Sequence, residues 1–175
     1  MSLSDKRQKD KPEIIAKTFY NEFVINTDLD EKGLNISESH KVPFQAKMLA
    51  YKFAIVLMAL ISEERNNSKY SKVRECCEKI IDEKSQGLQE RFKNITQETF
   101  KQEIVVNFHV DIKRAMVSLN NLLFSEDKKE LSWAKKWFEE INIEEYNPVT
   151  LTLFSHKIMG YYTTIVKSLG EFEPT

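Results

Sequence analysis

Few residues in this chain could do covalent or metal chemistry. Its cysteines are Cys76 and Cys77, and its histidines are His40, His109 and His156. A metal site in a helical bundle needs Glu-x-x-His on two helices with further inward carboxylates. Zinc sites favour His-x-x-x-His or Cys-x-x-Cys spacing. None of these patterns occurs, so no metal ligand is expected. A catalytic thiol must be partly exposed beside a base. Cys77 falls on the apolar stripe of its helix and reads as a small core residue, while Cys76 points to the flank. Gly-x-Ser-x-Gly, the Walker loop and the dinucleotide fingerprint are absent, and 4 glycines leave little from which to build a phosphate-cradling loop. No catalytic residue and no cofactor is expected.

The sharpest hint of enzymatic chemistry lies in residues 107–124, NFHVDIKRAMVSLNNLLF, which puts His109, Asp111, Lys113 and Arg114 on one helix. This segment resembles the phosphoacceptor helix of two-component signalling proteins, where an exposed histidine on a bundle is followed by an acidic and a basic residue. The resemblance covers one helix and implies His109 as a phosphoacceptor. The chain departs from the pattern by placing Val110 where the acid usually stands, and by putting Ile112 at the usual lysine position with Lys113 one residue later. Each departure turns a charged partner by about 100° around the helix. From the residues alone, His109 sits at the edge of an apolar face with its ring between Val105 and Lys113.

Apolar spacing offers a second class of site. On the same helix Phe100, Ile104, Val105, Phe108, Ile112, Ala115, Met116, Leu119, Leu122 and Leu123 fall on a wide apolar face. Val106, Val110, Val117 and Phe124 form a narrower one, separated from it by Asn107, Arg114, Ser118 and Asn121. A helix with two apolar faces touches two neighbours, or one neighbour and a partner chain. Trp133 and Trp137 stand one turn apart at the flank of the next helix, and amphipathic aromatics suit interfaces. The partner-binding candidates are therefore Val106, Val110, Val117, Trp133 and Trp137. The alternative is a pocket for a small apolar ligand or lipid between the C-terminal helices, lined by Phe154, Tyr161 and Tyr162.

These residues must be positioned by helices, and the pattern centres them on residues 43–61, PFQAKMLAYKFAIVLMALI. From Phe53 to Ile61 every side chain is apolar, so the helix is apolar all round and must be buried or in lipid. Lys47 and Lys52 shorten the uncharged run below the roughly 18–20 residues that span a bilayer, which favours a buried strut and no membrane span. Further helices are expected over residues 12–26, from 69, over 96–124, from 126, and from 147 to 169, where Asn147-Pro148 is a cap followed by a first-turn proline. Residues 27–42 read as a long loop, with Pro43 opening the central helix and NNS at 66–68 closing it.

Composition agrees. With 175 residues, 41% hydrophobic and 30% charged, the chain can bury a core and is not of disordered type. Only 4 Gly and 4 Pro argue against folds rich in tight turns. A net charge of -1 without a basic run argues against a nucleic-acid partner. Adjacent cysteines pair poorly with each other and suit a reducing compartment, and no apolar leader follows the N-terminus, so a cytoplasmic location is expected.

The sequence therefore specifies an all-α single domain. It is a six-helix bundle around a fully buried central helix at about residues 43–65, with a flexible segment at 1–11, the domain at 12–170 and a tail at 171–175. The expected function is non-enzymatic, through a protein partner or self-assembly as a homodimer.

Overall fold

The computed structural model describes residues 8–25, 36–100, 107–124, 130–143 and 146–175, with residue 39 and residues 95–100 described by backbone alone. Within them the chain is all-α. Six helices pack together: α1 Pro12–Phe19, α2 Glu38–Asn66, α3 Tyr70–Phe100, α4 Phe108–Phe124, α5 Glu130–Glu139 and α6 Pro148–Leu169. A π-helical turn, Tyr20–Ile25, continues α1. Two short strands, β1 Gln8–Asp10 and β2 Phe172–Pro174, complete the order.

The central helix is α2, which packs on α3, α4, α6 and the π-helical turn. Phe53 to Leu57, Ala59 and Leu60 are buried, as the all-round apolar pattern requires. Burial does not extend over the whole helix, which corrects the expectation of a sealed strut. Gln45 is exposed, while Lys47, Leu49, Lys52 and Met58 are half-buried. The two lysines keep their ammonium groups satisfied by reaching along the helix: Lys52 donates to the Val24 carbonyl (3.3 Å) and Lys47 to the Trp137 carbonyl (3.0 Å). By length and composition His40–Asn66 could cross a membrane, because its most apolar window tolerates both lysines. In this bundle 72% of that window is covered by the chain's own helices.

Helix boundaries correct the sequence at two places. Pro43 lies inside α2, not at its start, and residues 38–42 of the expected loop are helical. The start is set by Ser37, whose backbone is extended and whose hydroxyl lies 2.7 Å from His40 Nδ1. Proline at the sixth helical position removes one backbone donor, a defect tolerated near a helix start more easily than further in. Residues 27–35 of the expected loop lie outside the described residues. The expected turn at 94–96 does not form, and α3 runs through it and through Gly87 to Phe100. Asn and Thr without Gly or Pro cost a helix only about 0.7 kcal/mol each, too little to end one.

At the chain ends, residues 8–10 of the segment expected to be flexible and residues 172–174 of the expected tail form a strand pair. β1 runs parallel to β2, pairing Gln8 with Phe172 and Asp10 with Pro174. Gln8 donates its N–H to the Glu171 carbonyl (2.8 Å), and Thr175 donates to Asp10 (3.0 Å). Behind the pair, the buried Tyr70 hydroxyl at the start of α3 is within donating distance of the carbonyls of Leu169 (2.7 Å) and Phe172 (2.8 Å). Phe172 meets Phe19 edge-on. Removing the hydroxyl leaves two carbonyls short of a donor in a largely dry site, so Tyr70→Phe should lower stability by about 1–3 kcal/mol in urea titration, with helix content unchanged. A loss below a few tenths would show that the terminal clasp does not depend on this residue.

Candidate functional site

The face that remains open after folding belongs to α4. Asn107 starts the helix by accepting the Val110 N–H on its side-chain oxygen (3.3 Å), and Gln89 of α3 accepts the Phe108 N–H (3.2 Å). Phe108, Ile112, Ala115, Leu119 and Leu122 are buried, at helical spacing, on the face that meets α2. Away from it, Val110 is 40% exposed, Val117 68% and Phe124 56%. These three follow one another at seven-residue intervals, two turns apart, and so form a straight stripe. Lys113, Arg114, Asn120 and Asn121 are exposed between them. Val106, the fourth member of the expected patch, lies outside the described residues.

At one edge of this face His109 meets α3. Its Nδ1 lies 3.7 Å from Asp82 Oδ1 and its Nε2 lies 3.5 Å from Ser85 Oγ, with about half the ring side exposed to solvent. The order carboxylate, imidazole, hydroxyl invites comparison with an activated nucleophile. The distances are long for hydrogen bonds, and the buried Ser85 hydroxyl donates instead to the Asp82 carbonyl of its own helix (3.0 Å). The arrangement orients an imidazole but does not activate the serine.

The other charged residues of the segment are not gathered around His109. Asp111 turns toward Arg114 (4.0 Å). Partial burial raises the Asp111 carboxyl above the usual aspartate range, while Arg114, the Asn107 backbone and Lys47 pull it back down. Burial likewise lowers the Lys47 ammonium, against a hydrogen bond from Lys47 to Glu140. The carboxylate that does face His109, Asp82, comes from another helix, and no local spacing could have announced it.

The tryptophans are not surface residues, which corrects their place among the partner-binding candidates. Trp133 is 8% exposed and Trp137 only 1%. Trp133 donates its indole N–H to the hydroxyl (2.8 Å) and carbonyl (3.1 Å) of Ser118 on α4. Trp137 packs on Phe44 (5.3 Å between ring centres), Tyr51 (5.7 Å) and Phe154 (4.6 Å), with the Lys47 ammonium 4.7 Å from its ring centre. The short helix α5 buries Trp133, Ala134, Trp137 and Phe138, and leaves Leu131 47% exposed. Its buried face thus takes in both tryptophans and leaves out Leu131, because two indoles remove more apolar surface from water than one leucine.

The three pocket candidates are not brought together. Phe154 is buried among Phe44, Trp133, Trp137 and Phe138. Tyr161 packs on Phe23 (6.1 Å), and the half-buried Tyr162 meets Phe124 at right angles (5.9 Å). Each ring has a different neighbour, and the first two belong to the core. Cys77 is buried, and that burial pushes its thiol up to about 12. Among the described residues no group of three or more His, Cys, Asp or Glu side chains could hold a metal ion.

Comparison of the chain with protein-family models, with curated proteins and with solved structures finds no match.

The raised carboxyl of Asp111 carries a stability consequence. A folded-state pKa above the unfolded value means that the protonated form folds better, so this group's favourable contribution is full below the unfolded value of about 3.9 and is lost as pH rises through the folded value. Asp111→Asn should therefore raise the Tm at pH 7 relative to the parent, with the difference vanishing near pH 3. Equal Tm values at pH 7, or a lower one for the variant, would show that the Arg114 contact outweighs burial.

Proposed function

We propose that this protein is a helical interaction module that engages a partner through the exposed face of α4. The observation that carries the reading is the stripe Val110, Val117 and Phe124, exposed on a helix whose other face already satisfies the core. Fully burying such side chains is worth about 1.5–3 kcal/mol each, so even the part still open to water here contributes several kcal/mol when a partner covers it. The stripe is regular, which a scatter of surface apolar residues is not. Lys113 and Arg114 beside it add polar contacts at the rim of such an interface. The same reading places the chain in the cytoplasm, where the free Cys76 and Cys77 remain reduced.

The test replaces the centre of the stripe. Val117→Glu lies on an open surface, and should change stability by no more than about 0.5 kcal/mol. It should weaken association at least tenfold, because the new carboxylate would be buried without a partner in the complex. Photo-crosslinking from a benzophenone amino acid at position 117 reports association in cells of the source organism. Absence of any adduct there, of the chain with itself or with another protein, would remove this reading.

A second reading is supported by the half-exposed His109 ring, with Asp82 nearest Nδ1. A carboxylate on that side favours the tautomer with hydrogen on Nδ1 and leaves Nε2, 3.5 Å from Ser85 Oγ, as the nitrogen that carries a lone pair for a phosphoryl group. On this reading phosphoramidate, which donates its phosphoryl group and releases ammonia, gives an acid-labile phosphate on the parent and none on His109→Gln. An unlabelled parent would eliminate it.

A further inference from the structure

The exposed face of α4 is self-complementary in one orientation only. Between Val110 and Phe124, both exposed cations, Lys113 and Arg114, lie on the N-terminal side of Val117, and both exposed amides, Asn120 and Asn121, lie on the C-terminal side. Their spacings about Val117 are symmetric. Lys113 precedes it by as many residues as Asn121 follows it, and the same holds for Arg114 with Asn120 and for Val110 with Phe124.

We infer that the partner of this face is a second copy of the chain, with α4 laid antiparallel on α4 about a two-fold axis at Val117. This inference rests on the interaction reading above and names its partner. Across the axis Val117 meets Val117 of the other copy, and Val110 meets Phe124, so a small apolar side chain faces a large one at both ends. Each Lys113 and Arg114 faces an asparagine whose side-chain carbonyl accepts a charged donor, and the asparagine amide brings no opposing charge. Parallel pairing would instead set Lys113 against Lys113 and Arg114 against Arg114 along the seam, where like charges repel. An acidic partner helix would also suit the two cations and the amides, but only a second copy matches the spacings that are symmetric about Val117. The arrangement with complementary groups along the whole stripe is therefore the antiparallel copy. One pair of helices is a small interface, well under the roughly 1,200 Å² of stable complexes, so a reversible dimer in about the micromolar range is expected.

Site-directed disulfides in the full chain test both the partner and the orientation. The background is Cys76→Ser, which removes the half-buried native thiol, and oxidation is mild. Val117→Cys should give a linked dimer, since the axis brings each thiol to its own copy. Val110→Cys alone should not, because antiparallel copies hold those positions about 21 Å apart along the axis. Val110→Cys combined with Phe124→Cys should link again. Val149→Cys, at an equally exposed position on α6 (66%), controls for random collision and should stay monomeric. Linking by Val110→Cys as efficiently as by Val117→Cys would overturn the antiparallel arrangement. Sedimentation of the unmodified chain as a pure monomer at about 500 µM, well above the expected dissociation range, would overturn self-pairing. In that case a benzophenone adduct from position 117 to a different protein leaves the interaction reading standing, and the absence of any adduct ends both.

Discussion

The bundle depends on the contact between α2 and a cluster of aromatic rings supplied by α5 and α6. Phe44 and Tyr51, two turns apart on α2, meet Trp137 edge-on, and Phe154 packs against both tryptophans. These rings are the largest apolar bodies in the protein, and their burial outweighs the sum of several aliphatic contacts. Ala50, Ala54 and Ala59 on α2 are buried with almost no exposed area. Small residues let neighbouring backbones come close, so one helix can serve α3, α4 and α6 together. The Trp137 indole N–H is buried in the cluster with no hydrogen-bond partner among the described residues, whereas the cluster's other polar groups converge on one serine. Trp133 reaches Ser118, and Tyr51, whose burial holds its phenol far above the usual range, lies against the same serine. Ser118 thus ties α4 to the cluster from the side that borders its open face.

What the sequence revealed and what it hid divide by the range of the interaction. Asn147-Pro148 announces α6 by chemistry confined to four residues, and Asn147 does accept the Thr150 N–H (2.8 Å). The break after Asn66 and the buried run from Phe53 are equally local, being matters of turn residues and periodicity. Asn107 is a cap of the same kind, followed by Asp111 in the first turn, but the apolar periodicity runs past it toward residue 96 and hides it. The terminal clasp depends on residues 8–10 meeting residues 172–174 across the whole chain, and nothing in SDKRQKDK signals strand pairing. Asp82 beside His109 is hidden for the same reason. Spacing puts the tryptophans at the flank because it gives equal weight to all apolar residues, whereas the folded chain orients α5 by its bulkiest ones.

The site was legible in part. Val110 and Val117 were singled out by their separation from the main apolar face, and that separation survives folding as exposure. The wheel alone could not say whether the second face would meet a helix of the same chain. α3 and α6 pack beside α4, and Phe124 does touch Tyr162 at the far end, yet it stays 56% exposed.

The two faces of α4 impose different constraints on its residues. The inward face repeats at three- and four-residue steps and has to fit α2, so its residues are fixed by volume, and a change of one methylene group is felt there. The outward stripe repeats every seven residues, which is the spacing that keeps side chains in line with a partner helix crossing at a shallow angle. Solvent exposure alone would place no premium on such alignment, nor on dividing cations and amides to either side of its midpoint. A surface under no constraint except solubility would intersperse acidic and basic residues. Here the exposed charges along the stripe are both positive and both in one half, and the partly buried Asp111 is the nearby acid. That asymmetry becomes symmetry only when a second copy is laid across the first in reverse.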